Sequence, residues 1–473
     1  IICYGRKSIA YFCFQSAINH SKIGIILYIL LIYSNNNSMD KSIWSEYTQK
    51  KDFEKLNKDI DCDVLVVGGG MAGILTAYSL EREGRSVVLV EANTIGSGMT
   101  ENTTAVITAQ HDTPYYKLIE MHGERIAKGY LDSNLQAVKQ FEELIAENNI
   151  DCDFEITPSF MYSKHYSLRK EIDALKSLGY NAEMVSEVDL PFDIRSAVKF
   201  PDSAQFHPLK FIFSIAENLI IYEKTMVKRI EGHTAFANGC KINFKQAVIA
   251  SHFPFIDRHG WFFIKLHQRR SYVMAIENVS SINGSYIDDQ DEGFYFRNYG
   301  DTLLVGKGEH RTGMKTTALE ELQNFKKRFY PENKIKCIWA NQDCVSLDDM
   351  PYIGHYGKME DVFVLTGFNL WGMTGSMVGA NILKDMLCGS ENEYAKIYST
   401  TRSIWRTQLF ANIGMVLLNM IYPTVKRCPH LGCALKYNKR EHSWDCSCHG
   451  SRFEENGKLI NNPAIEDKKR KKF

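Results

Sequence analysis

Two groups of residues have the types and spacing to do chemistry. Near the C-terminus, Cys428-Pro429-His430 is followed, after fifteen intervening residues, by Cys446-Ser447-Cys448-His449. Cys428, Cys433, Cys446 and Cys448 fall within 21 residues, with two histidines interleaved. A disulfide framework would spread its pairs along a short secreted chain, so this crowding reads as a metal site. A zinc site on the same ligands and a purely structural disulfide cluster are the rival readings, although Cys-x-His with Cys-x-x-His is not a common zinc-finger spacing. Near the N-terminus, Gly68, Gly70 and Gly73 form a G-x-G-x-x-G pattern. Gly68 permits a tight turn, Gly70 has no side chain to hold a pyrophosphate off the backbone, and Gly73 lets the next helix pack close to the strand.

The elements around each group fit these roles. Asp63–Val67 is a continuous apolar run suited to a buried parallel strand, and it leads directly into the glycines. A helix predicted over Ala72–Glu83 turns its first amides, with Met71 and Ala72 at its start, and its dipole toward phosphates. Gly84 stops that helix, and a second apolar strand over 86–90 ends in Glu91, whose carboxylate can accept from ribose hydroxyls. FAD and NAD share this fingerprint. Gly306-Lys307-Gly308 ends a strand without the third glycine and helix, so only one dinucleotide cradle is expected. Around the cysteines, Gly432 and Gly450 suit tight turns, while Phe410–Ile421 is apolar and helix-like and is broken by Tyr422-Pro423.

The chain has 473 residues, enough for two to four domains with sizeable cores. An aromatic content of 12% excludes disorder. Lys+Arg and Asp+Glu balance at 56 each, so no global field draws the chain to nucleic acid or to an anionic membrane. No apolar run reaches the length of a bilayer span. The longest, Ile23–Tyr33, precedes the first methionine, Met39, and residues 1–38 read as upstream translation or a leader. The cysteines outside the cluster are scattered, as in a cytoplasmic protein.

Further segments resemble the glycine oxidase/D-amino-acid oxidase superfamily of FAD enzymes over about residues 60–390. They are the Gly/Ser/Thr-rich loop Gly96–Ala105, the returning strand Ala247–His252, and Thr366–Thr374 with its following helix. The resemblance implies FAD as cofactor. It would be held by Gly68, Gly70, Met71, Ala72, Gly73, Glu91, Gly98, Thr100, Thr103 and Thr104, with Gly367, Gly372, Met373 and Thr374 meeting the flavin ring. It also implies a substrate domain roofing the flavin, with an arginine clamping a substrate carboxylate. Arg297 is the candidate, with Tyr295 and Tyr272 as neighbours and Arg270 in reserve. His111 and His252 read as structural. No acid–base pair stands out, as suits hydride transfer to a flavin.

Residues 428–453 resemble the Rieske iron–sulfur proteins. That resemblance implies a [2Fe-2S] cluster with Cys428 and Cys446 on one iron and His430 and His449 on the other. Cys433 and Cys448 match the extra cysteines that a Rieske subgroup joins as a disulfide, and Ser451 matches a hydroxyl that donates to a cluster sulfur. Asn462-Pro463-Ala464 resembles the loop that covers the cluster. This domain is abbreviated, so the cluster or docking on the flavin domain must supply part of its stability.

The expected architecture is α/β: a discontinuous Rossmann-like FAD-binding domain (61–155, 200–256, 340–390) and a β-rich substrate domain (156–199, 257–339). An extension (39–60) precedes them; a linker (391–425), a small all-β Rieske-type domain (426–467) and a basic tail (468–473) follow. The expected function is a dehydrogenase that oxidises a small amine or amino-acid-like substrate and passes single electrons through the cluster to an external protein or quinone. The alternatives are the reverse flow and a catalytically silent redox sensor or scaffold.

Overall fold

The computed structural model describes residues 39–47, 51–256 and 259–468. The expected upstream or leader segment 1–38, and the basic run beyond Lys468, lie outside the described residues. Among the described residues no helix is long and apolar enough to cross a membrane.

The apolar strand Ile60–Val67 sits centrally in an eight-stranded sheet. It runs parallel to Cys240–Ile249 on one side and to Val87–Val90 on the other. Ile220–Tyr222 extends the sheet beyond Val87–Val90, and Met359–Thr366 extends it beyond Cys240–Ile249, both in parallel. Val67 is in register with both Ile249 and Val90, so the strand C-termini end together at one edge, where open α/β sheets bind ligands. The helices Met71–Arg82 and Gly372–Leu387 lie side by side on this sheet. Val64–Val67 are buried, which explains why the strand carries an unbroken apolar run.

A second eight-stranded sheet is mostly antiparallel. From one edge its strands run Ile335–Val345, His267–Ile276, Thr302–Arg311 and Phe294–Tyr299, in that order. The helix Ala318–Phe329 covers it with Leu319, Leu322 and Phe325, the helical spacing legible in the sequence.

The C-terminal sheet has four antiparallel strands: Leu435–Asn438, Ser443–Cys446, Arg452–Glu454 and Leu459–Asn461. Its buried apolar cluster is Cys428, Cys433, Leu435, Cys446, Cys448, Phe453 and Ala464. Cysteines make up more than half of it. The preceding segment carries a helix, Thr407–Ile421, that ends ahead of Pro423.

Candidate functional site: a dinucleotide cradle, a cleft and a cysteine–histidine cluster

The cradle forms where Ile60–Val67 meets the helix Met71–Arg82. Gly68 has φ +118°, and a Cβ there would lie 2.4 Å from the Ala250 carbonyl oxygen. At Gly73 a Cβ would lie 1.9 Å from the Gly68 carbonyl oxygen, so only glycine lets the helix pack this close. The helix begins at Gly70, in extended conformation, which has no side chain of its own to cap it. Met71 N donates to Thr100 Oγ1 at 2.9 Å, tying the loop Gly96–Ala105 to the helix start. Glu91 accepts from Gly69 N and Asn93 N, each at 2.7 Å. Burial raises its carboxyl above the usual range against those two amides. Ala72, at the helix start, is buried, and Gly98 borders the open side of the loop. A backbone-lined cradle that a Cβ would fill, with an acid at the end of the second strand, fits a dinucleotide.

Beyond the cradle lies a cavity of about 70 Å³, lined by Thr103, Thr104, Tyr295, Met373 and Trp371 among others. It shares Asp112, Glu309 and Trp371 with a cleft of about 810 Å³. Gly367 (φ +70°) and Gly372 shape the chain before the helix Gly372–Leu387, and Thr374 Oγ1 lies 3.2 Å from His111 Nε2. His111 stacks on Trp371 with centroids 4.7 Å apart, and its Nδ1 lies 2.6 Å from Tyr130 Oη. Burial pulls this imidazole down to about 3, so it is a neutral support for the Trp371 ring.

The cleft is acidic. Burial raises Asp112 well above the carboxylate range and, with it, Glu309 to about 7. Asp349 is raised by burial as well. Arg269, which lines the cleft with them, pulls all three down. Asp112 Oδ1 is buried without a hydrogen-bond partner. These acids were not singled out from the sequence. Strand parity gives a signal for Arg269 but none for the acids. On His267–Ile276, Arg269 lines the cleft while Ser271 and Val273 line the cavity. Gln268, Arg270 and Tyr272, on the other face, reach the C-terminal domain.

The structure brings Tyr295 to the cavity, its hydroxyl 3.1 Å from Ser271 Oγ, but directs two of its expected partners elsewhere. The Arg297 guanidinium donates to the carbonyls of Thr104 (2.6 Å) and Ala105 (2.8 Å) and lies against Trp44. Tyr272 donates to Glu441 at 2.9 Å, and Arg270 pairs with the same carboxylate.

In the C-terminal sheet, two turns present the cluster residues. Cys428 N donates to Cys433 O at 2.8 Å, and Gly450 N to Cys446 O at 2.9 Å. The Sγ atoms of Cys433, Cys446 and Cys448 lie within 4.8 Å of one another, and all four cysteines of the cluster are free thiols. His430 and His449 face each other with centroids 4.9 Å apart. Both ring nitrogens of His449 are buried without a hydrogen-bond partner, and burial lowers the imidazole to about 4. Soft thiols beside two imidazoles are a donor set suited to a mixed thiolate–imidazole iron–sulfur cluster. Ser451 Oγ accepts from Ala464 N at 3.0 Å, which closes the Asn462–Ala464 loop over this pocket.

The cradle and the cluster pocket are contiguous. The chain after Cys240–Ile249 touches Gly68 through Ala250 and then runs to Phe253. The Phe253 ring sits 6.4 Å from that of His430 and 6.0 Å from that of His449. Asn462 Nδ2 donates to the carbonyls of Ser251 and Phe253. Gln268 Nε2 donates to His449 O at 2.8 Å and Gln342 Nε2 to Gly450 O at 2.9 Å. His252 sits in this junction at φ 66°.

Comparison with known proteins agrees with this geometry. A model of the FAD dependent oxidoreductase family (DAO) matches residues 63–386, and one of the Rieske [2Fe-2S] domain matches residues 386–470. The Rieske 2Fe-2S iron-sulfur protein YhfW of Bacillus subtilis is 30% identical, over 90% of this chain and 96% of its own. Glycine oxidase from Geobacillus kaustophilus has a similar fold: TM-score 0.61, 17% identity, 73% of this chain and 99% of that one. L-amino acid deaminase from Proteus vulgaris does too, with TM-score 0.59, 18% identity, and coverage of 76% and 100%. The chain therefore belongs to the FAD dependent oxidoreductase family, with FAD as its cofactor, and carries a C-terminal Rieske domain that implies a [2Fe-2S] cluster.

Proposed function

We propose that the protein is a cytoplasmic dehydrogenase for a small amine or amino-acid-like substrate. A flavin held in the cradle would supply a two-electron acceptor for the hydride on the carbon beside nitrogen, and a cluster held by the Cys/His loops would supply one-electron transfer to an external protein or quinone. The observation that supports this reading is the contiguity of the Gly68–Ala250 contact with Phe253, His430 and His449. The flavin-binding residues we assign are the cradle glycines, Met71, Ala72, Glu91, Thr100, Thr103, Thr104 and the Gly367–Thr374 turn. We assign Cys428, Cys446, His430 and His449 to the irons, and a Cys433–Cys448 disulfide to the cluster-loaded state.

In the cleft, Asp112 and Glu309 receive the substrate ammonium, whose charge would offset the burial that raises both carboxyls and favour their ionised forms. Arg269 is placed to hold a carboxylate when the substrate has one. Tyr295 and Trp371 wall the cavity and exclude water, and Arg297 holds the backbone at Thr104, which also lines it. A cytoplasmic location suits the free thiols at Cys62, Cys152, Cys240, Cys337, Cys344 and Cys388.

Anaerobic addition of candidate amines to the purified protein tests the reading. The visible flavin bands should bleach first, and a reduced-cluster electron paramagnetic resonance signal should follow. Bleaching that leaves the cluster oxidised removes the relay.

A further inference from the structure

The helix Thr407–Ile421 is turned inside out. It contains no Asp, Glu, Lys or Arg, yet its two asparagines face inward. Asn412 Oδ1 accepts from Arg311 at 2.9 Å, and Asn419 Oδ1 accepts from Ser447 Oγ at 3.3 Å, beside the cluster cysteines. Leu409, Asn412 and Asn419 are buried, all on one side at helical spacing. The opposite side presents Phe410, Leu417, Leu418 and Ile421 to solvent, with Trp405 before the helix and Val425 after it; Leu418 is 64% exposed and Ile421 77%. A contiguous apolar face of this kind marks a docking surface.

Three observations say what covers it. From Arg402 to Arg427 the sequence has no acidic residue; of its four basic ones Arg402 is paired with buried Asp348 and Arg406 lines the cleft, which leaves Lys426 and Arg427 at the C-terminal end of the face. Trp405 and Tyr422 flank the helix ends, where amphipathic aromatic rings sit at a lipid headgroup layer. Lys468 Nζ donates to Arg427 O at 2.7 Å, so the run Lys468-Lys-Arg-Lys-Lys472 starts beside the C-terminal end of the apolar face. An apolar helix face plus a polybasic segment is the two-signal pattern for an anionic bilayer surface.

We infer that the face formed by Trp405, Phe410, Leu417, Leu418, Ile421 and Val425, with the adjoining basic residues, docks the protein on an anionic lipid surface without crossing it. Trp405 and Phe410 also line the acidic cleft, so the electrostatic contact falls to the other end of the helix, at the half-buried Lys426 and Arg427. The cluster loops then stand one helix diameter, about 10 Å, from that surface.

The test is flotation of the full-length, cofactor-loaded protein with vesicles of phosphatidylcholine alone or mixed with phosphatidylglycerol. The protein should float with the mixed vesicles and less so as salt rises. Leu418→Glu with Ile421→Glu should weaken binding at least about tenfold. Removal of residues 469–473 should weaken it about tenfold and abolish most of the salt dependence. Both variants should keep the flavin and cluster absorption bands, showing that they fold. Trp405 emission should shift to the blue on mixed vesicles only. The inference is overturned if the wild-type chain does not float, or if the double variant floats like wild type, as it would if residues 1–38 made the contact. It is overturned equally if the double variant only dissociates a dimer, which would make a second copy the occupant.

Discussion

The two cofactor regions are held by opposite means. The dinucleotide cradle is backbone geometry set in a large core: Gly68 and Gly73 are enforced by carbonyl oxygens that no side chain could approach, and Val64–Val67 behind them are buried. The cluster pocket is side-chain chemistry on a small sheet whose apolar interior is mainly cysteine. It is steadied from outside, by Gln268, Gln342, Arg270 and Arg311 of the second eight-stranded sheet and Asn419 of the apolar helix. A site inside a large core tolerates loss of its ligand. A site on four short strands depends on ligand and docking together.

This contrast can be broken at either end. The largest effect is expected for Cys446→Ser. It should abolish the cluster absorption and make the C-terminal sheet sensitive to protease, while the flavin bands persist. Loss of flavin in the same variant would show that the two regions fold as one unit. Gly73→Val is the mirror experiment. With a Cβ position 1.9 Å from a carbonyl oxygen, FAD content should drop at least about tenfold while iron content per folded chain is kept.

Glu441 measures the docking itself. Burial would raise its carboxyl, but the Arg270 and Arg452 guanidiniums outweigh this and lower it to about 2 from its ordinary 4.5. The unfolded chain therefore binds the proton more readily than the folded one. The pair stabilises docking fully above pH 4.5, and that contribution fades as pH falls toward about 2. Glu441→Gln leaves two buried guanidiniums short of charge and should cost about 3–5 kcal/mol in thermal or denaturant unfolding of the C-terminal domain. A cost under about 1 kcal/mol would class the pair with surface salt bridges. The smallest effect is expected for Gln268→Ala, which removes donors to His449 O and Asn462 O at about 1–2 kcal/mol. Stopped-flow spectroscopy should show flavin reduction unchanged and cluster reduction slowed. Slowing of both would place Gln268 in the cleft's function rather than in docking.

Much of this arrangement was legible in the chain. Asp63–Val67, the three glycines and Glu91 read as a cradle because the constraint is local: each residue acts through its own backbone or the next turn. The gathering of thiols and imidazoles near the C-terminus was legible for the same reason, since two short turns carry Cys428, His430, Cys446 and His449. Arg297 and Tyr272 were expected near the substrate. Their side chains instead reach a loop carbonyl pair and Glu441, partners 193 and 169 residues away. The acids of the cleft come from three separate elements, and nothing in the sequence pairs Asp112 with Glu309.

Sequence alone thus determined which cofactor chemistries the chain can hold, because glycine spacing and thiol–imidazole spacing are short-range conditions on one stretch of backbone. Tertiary structure decided how those chemistries meet. The even face of His267–Ile276 reaches the Rieske loops while its odd face lines the cleft and cavity, and Phe253 comes between the cradle and the two histidines. A strand's two faces are set by its own alternation, but what each face touches depends on which distant segments fold against it.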